Sequence, residues 1–99
     1  YLVKGILERK NYYVKTEHDG VDITAIKNNQ KIAIEVETGN SYATKNILKC
    51  LQLGFNKVIT VATNKEIYAQ VKRFITYYKL QEKVTLVLAQ NLDELENML

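Results

Sequence analysis

The chain contains no proline and no tryptophan, only four glycines, and a single cysteine, Cys50. Lacking proline and any glycine-rich tract, it has no collagen-like or linker-like segment. One cysteine excludes an internal disulfide framework and a multi-cysteine zinc site, and fits a reducing compartment, so a cytoplasmic protein is expected. No apolar run approaches the ~18 residues a membrane-spanning helix needs. What remains is an ordinary globular composition: 99 residues, 46% hydrophobic and 25% charged. That is enough for one sheet with helices packed on it and too little for two domains, so residues 1–99 read as a single domain. The chain begins with Tyr1 rather than Met and reads as a piece of a longer protein. Fourteen Lys and Arg against eleven Asp and Glu give a net charge of +3, which tolerates a polyanionic partner without demanding one.

The hydrophobic pattern predicts helix, three strands, helix, strand, helix, strand, helix. Leu2, Val3, Ile6 and Leu7 recur at helical spacing. Tyr12 to Glu17, Val21 to Lys27 and Lys31 to Glu37 read as strands, with a turn at His18-Asp19-Gly20 and a tight hairpin at Asn28-Asn29. A helix is expected from a cap at Asn40 or Ser41 to about Leu53, with Thr44, Ile47, Leu48 and Leu51 inward and Gly54 as its stop. Lys57 to Thr63 is a short apolar strand. Asn64 then caps a helix burying Ile67, Val71, Phe74, Ile75 and Tyr78. Lys83 to Ala89 forms the last strand, and Asn91 with Glu94 opens a short helix turning Leu92, Leu95 and Leu99 inward.

The hairpin fixes a register. With Asn28 and Asn29 as loop residues, Lys27 faces Gln30, Ala25 faces Ile32, Ile23 faces Ile34 and Val21 faces Val36. The last six are apolar and share one face, as a correct register requires. The other face sets Asp22 opposite Glu35, with Glu37 two residues on and pointing the same way. Directly opposed residues have Cβ atoms about 4.5–5.5 Å apart, and like charges so placed are destabilising unless compensated. A divalent cation would compensate them, and Mg²⁺ binds through one or two carboxylates plus water and phosphate oxygens. Solvated surface carboxylates near lysines are the alternative reading.

The acid in Val21-Asp22-Ile23, followed by Ile34-Glu35-Val36-Glu37-Thr38-Gly39, resembles the PD-(D/E)xK nuclease signature of the restriction-endonuclease-like superfamily. The resemblance spans residues 1 to 63, about two-thirds of the chain. It implies an α/β fold with a three-layer core of helix, three strands, helix and strand, here with an added helix, strand and helix. It further implies metal-dependent hydrolysis of DNA phosphodiesters. Asp22 and Glu35 would be metal ligands for Mg²⁺ or Mn²⁺, helped by the carbonyl of Val36. Such domains are often joined to larger DNA-handling proteins, so a motor or similar domain upstream of Tyr1 is an expected partner, as is a homodimer. The sequence departs from the signature at its third position, where Glu37 stands in place of the lysine. Glu37 could act as general base or further ligand; Lys31, Lys45 or Lys49 could replace the lysine; or catalysis could be lost, leaving a module that binds DNA or a protein. Glu8 is the one candidate for the glutamate that many such domains carry on the first helix.

The string Glu37-Thr38-Gly39-Asn40-Ser41 also resembles the phosphate loop of flavodoxins, which implies an FMN-binding alternative. His18 reads as a turn residue, and Cys50 as a helix-face residue with no base paired to it. Lys65, Lys72, Arg73 and Lys79 read as a solvated helix face, or as a track for a phosphate backbone.

Overall fold

The structure is a computed structural model that describes residues 2–18, 20–38 and 42–99. Its elements run α1 (Leu2–Arg9), β1 (Tyr13–His18), β2 (Val21–Lys27), β3 (Gln30–Glu37), α2 (Ala43–Gln52), β4 (Lys57–Ala62), α3 (Lys65–Tyr77), β5 (Val84–Leu88) and α4 (Glu94–Met98), with one 3₁₀ turn at Ala89–Asn91. The five strands form one sheet in the order β1-β2-β3-β4-β5. The first three make an antiparallel meander, and β4 and β5 add in parallel through α2 and α3. This is a compact mixed α/β domain. Its meander excludes the all-parallel sheet that the flavodoxin-like alternative needs.

Two apolar clusters flank the sheet. On one face Ala33, Val58, Ala62 and Val84 pack against Ile47 and Cys50 of α2 and Ile67, Val71 and Ile75 of α3. On the other face Ile23, Ala25, Ile32, Ile34, Ile59 and Val61 pack against Val3 and Leu7 of α1 and Leu95 of α4. The central strand β3 is therefore covered on both faces, which is why it reads as a nearly continuous buried run. No helix among the described residues is long and apolar enough to cross a membrane.

The β2–β3 register follows the expected pairing from Ile23↔Ile34 to Lys27↔Gln30. Asn28 and Asn29 both take positive φ, 51° and 65°, as a two-residue hairpin turn requires. Beyond Ile23 the expectation needs correction. The ladder stops there, so Asp22 and Glu35 are not ladder partners. Val21 joins the α2–α3 cluster rather than the face of Ile23, and Val36 is 39% exposed. The strands part because the Asp22 carboxylate takes up a backbone donor: Val36 N–H bonds to Asp22 Oδ2 at 2.8 Å. Glu17, opposite this point, has left-handed φ of 49°.

Three helix expectations are also corrected. α2 buries Ala43, Ile47 and Cys50, with Leu51 only partly covered, and Leu48 is exposed. α3 starts as expected, with Asn64 Oδ1 accepting from Ile67 N–H at 2.8 Å, but Tyr78 lies outside the helix and is exposed. The last helix begins at Glu94, after the 3₁₀ turn has used Asn91. The expected caps Asn40 and Ser41, like Asp19 of the first turn, lie outside the described residues; His18 ends β1.

Candidate active site

Because β3 and β4 run parallel, their C-terminal ends lie together, and α2 crosses the sheet directly after β3. Ala33, Glu35 and Glu37 alternate onto the α2 side. A polar set thus forms beneath α2 at the C-terminal end of the sheet's middle strand. The chain buries Glu35 to 3% exposure and Glu37 completely, together with Thr24 and Thr60.

Glu35 is the centre of this set. Its Oε1 accepts from Cys50 Sγ at 3.5 Å and lies 3.9 Å from Lys49 Nζ. The Asp22 carboxylate bears on it as a neighbouring negative charge. The two acids therefore meet through their side chains although the ladder does not pair them. Burial, and then the neighbouring Asp22 charge, push the Glu35 carboxyl from 4.5 up to about 7, against the opposing pull of Lys49. The Cys50 thiol, buried and beside Glu35, is pushed up to about 12, so it serves as a donor and not as a nucleophile.

Asp22 is exposed. It lines a cleft of about 430 Å³ with Thr16, Glu17, Ile23 and Val36, opened where β2 and β3 part. The buried acid Glu35 is thus adjoined by an accessible one at the rim of a cleft. Thr60, the register partner of Glu35 on β4, keeps its hydroxyl buried without a hydrogen-bond partner among the described residues, as does Thr24.

Glu37 occupies a different situation from the one expected of it. Both its carboxylate oxygens accept from Asn46 Nδ2, at 3.1 and 3.2 Å, and its carbonyl accepts from Thr63 N–H and Oγ1. It is fully buried, and its contacts tie β3 to α2 and to Thr63 ahead of α3.

The three lysines separate clearly. Lys49 donates to the Gly20 carbonyl at 2.6 Å while facing Glu35. Lys31 lies four residues before Glu35, about 13 Å along the strand, with its ammonium 4.5 Å from the Phe55 ring centre. It is thus placed away from the acids. Lys45 is exposed on the first turn of α2. Glu8 is exposed on α1, and α1 packs on the face opposite to Glu35, so it is no neighbour of the acids.

Sequence reasoning missed Asn46, Cys50 and Thr60 as members of the set. A helical pattern of Ala43, Asn46, Ile47, Lys49 and Cys50 facing the sheet was the available signal, since small and polar residues on an inward face need polar partners beneath them. Among the described residues no three of His, Cys, Asp and Glu form a metal-holding group, so the three-carboxylate convergence is not found there. Asp22 and Glu35 still offer two carboxylates, with Asp22 Oδ1 and Glu35 Oε2 not used by Val36, Lys49 or Cys50. No protein-family model matches this sequence, and no curated protein or solved structure does either.

Proposed function

We propose that the chain is a metal-dependent nuclease domain of the restriction-endonuclease-like type, hydrolysing DNA phosphodiesters at Asp22 and Glu35, with Lys49 in place of the motif lysine. The observation that carries the reading is the meeting of these three groups: the buried Glu35 carboxyl, the neighbouring Asp22 charge that bears on it, and an ammonium 3.9 Å from Glu35 Oε1. Element order supports it, because the resemblance implies a helix, three strands, a helix and a strand, and the chain runs in that order.

The donor set fits Mg²⁺ or Mn²⁺ in the mode that uses one or two carboxylates and leaves the other positions to water and phosphate. A bound cation would supply an activated water and charge neutralisation at the phosphoryl oxygens. The chain's own residues supply the rest. Asp22, fixed through Val36 N–H, stands at the cleft rim. Glu35 releases its proton when positive charge approaches, because both the burial penalty and the Asp22 repulsion then fall. Lys49 is 40% exposed along its side chain, so its ammonium can meet the charge that develops on a phosphate in the transition state. Glu37 acts through Asn46, which lies one turn before Lys49 on α2, and so sets where Lys49 stands.

The test is cleavage of supercoiled plasmid DNA with Mn²⁺ or Mg²⁺ at millimolar concentration. Cleavage that is lost in Glu35→Ala and Asp22→Asn supports the reading. No metal-dependent cleavage above the Glu35→Ala background overturns it and leaves a module that binds DNA or a protein.

A further inference from the structure

The charge excess of the chain resides on one segment, α3 and the residues just past it. From Lys65 to Lys79 stand four cations, Lys65, Lys72, Arg73 and Lys79, and one acid, Glu66; the remainder of the chain holds ten cations and ten acids. All four cations are exposed, and none has an ion-pair partner among the described residues. Lys65 and Lys72 are seven residues apart, which places them on one stripe about 10 Å apart along the helix, with Arg73 beside it. Lys79 continues the basic run just past the helix end, where φ reaches 55°.

A groove accompanies this stripe. β5 is an edge strand, and α3 leaves part of its inner face uncovered. The result is a cleft of about 220 Å³ with Tyr68, Lys72, Thr76 and Gln81 around an apolar floor that includes Ile75 and Leu86. The Gln81 amide and the Thr76 hydroxyl each offer both a donor and an acceptor. Tyr68 offers a ring, and Lys72 joins the groove to the cation stripe. A base edge, a base face and a phosphate are the three groups this combination can bind together. An acidic peptide would use the cations but needs an added aromatic side chain to set against Tyr68, whereas every nucleotide carries both a phosphate and a base face; a duplex keeps its base faces stacked.

We propose that the α3–β5 groove binds single-stranded nucleic acid, one base lying in the cleft and the backbone phosphates following Lys65, Lys72, Arg73 and Lys79. α3 starts two residues after Thr63, which bonds to the Glu37 carbonyl, so the stripe begins near the acidic set and leads away from it. The contact stands apart from the nuclease reading, since it needs neither a metal nor a cleavage step.

The experiment measures fluorescence anisotropy of a labelled oligo-dT strand, and of a labelled duplex, in EDTA at low salt. The parent is expected to bind the single strand more tightly than the duplex, with log affinity falling against log salt with a slope of about −2 to −3 for three to four phosphate contacts. Lys72→Glu/Arg73→Glu should weaken binding at least ~10-fold and flatten that slope. Lys4→Glu/Lys10→Glu makes the same charge change on and beside α1, across the sheet, and should alter affinity less than ~2-fold. Gln81→Ala should weaken binding ~3-fold or more with the slope unchanged. Equal losses in the two charge-reversed pairs, no loss in either, duplex binding as tight as single-strand binding, or competition by polyglutamate as strong as by oligo-dT would each overturn the proposal. Because the assay is metal-free, its outcome is separate from whether the protein cleaves DNA.

Discussion

The ammonium of Lys49 lies 3.9 Å from Oε1 of Glu35 and donates a 2.6 Å hydrogen bond to the carbonyl of Gly20. One side chain on α2 thereby touches both the central strand and the turn that leads into β2. Gly20 has φ of 76°, and its ideal Cβ position would stand 3.6 Å from the Lys49 nitrogen. The turn, the cation and the buried acid are thus one unit, and the accessible acid Asp22 is two residues from that turn.

A pH dependence of stability follows from Glu35. Its carboxyl holds a proton up to about 7 in the folded chain, against 4.5 ordinarily, because it is buried and faces Asp22. Between those values the folded state keeps a proton that the unfolded state has released, so stability falls as pH rises. The contribution is full below about 4.5 and is lost as pH passes through about 7. A tenfold change in an acid's dissociation constant corresponds to about 1.4 kcal/mol. Glu35→Gln stays neutral throughout, so in metal-free buffer it should exceed the parent by on the order of 2–3 kcal/mol at alkaline pH and converge with it under acid conditions. Urea unfolding at the two pH extremes measures this; a constant gap would show that Glu35 does not titrate as described.

Divalent cations should reverse that penalty. At a tenfold excess over its dissociation constant, a ligand specific for the folded state stabilises by about 1.4 kcal/mol, which for a domain of this size is roughly 5–10 °C in melting temperature. We expect Mg²⁺ or Mn²⁺ to raise the melting temperature at pH 7–8 and Asp22→Asn to remove most of the gain. The shift should shrink under acid conditions, where Glu35 keeps its proton. Thermal melts with and without the metal decide the matter.

Asn46 and Glu37 form a buried pair whose disruption should cost stability. Asn46→Leu removes the amide that both Glu37 oxygens share and leaves a fully buried carboxylate short of a donor. Stranding a buried polar group costs about 1–3 kcal/mol, and more when it is charged. Glu37→Gln/Asn46→Asp exchanges donor and acceptor and should recover part of the loss. A denaturation midpoint unchanged in Asn46→Leu would show that the clamp carries no stability.

Much of this arrangement is legible before any coordinates. The element order and the hairpin register from Ile23 to Gln30 follow from alternation and from Asn28-Asn29, because both are local. Asp22 and Glu35 are likewise brought together, though by side-chain reach rather than by the ladder. What local pattern cannot show is that β3 becomes the middle strand of five. A carboxylate opposite another on an isolated hairpin face reads as solvated or metal-bound; the same carboxylate beneath a helix is buried, raised in pKa and paired with Cys50. Glu37 misleads for the same reason: its partner Asn46 comes from α2, nine residues on, and only the crossover places the two in contact. Lys31 misleads differently, for a lysine on a face that also carries acids can still stand several residues from them.

The last prediction separates the three lysines. If Lys49 replaces the motif lysine, Lys49→Met should lower metal-dependent cleavage ~10²-fold or more, the scale on which removal of one transition-state charge contact acts. It should also raise the Glu35 pKa further, since Lys49 is the cation that holds it down. The carboxyl carbon shift of Glu35 followed by NMR across pH reads this without any cleavage assay. Lys31→Met should leave both observables within ~2-fold of the parent, because its ammonium sits over Phe55 at the far end of the strand. Lys45→Met should act only on cleavage, and weakly, through a long-range contribution to the field at the entrance of the site. Loss of cleavage in Lys45→Met with Lys49→Met unaffected would move the missing charge to the start of α2. A Glu35 titration unmoved by Lys49→Met would show that the 3.9 Å approach has no electrostatic consequence, and the assignment of Lys49 would fall with it.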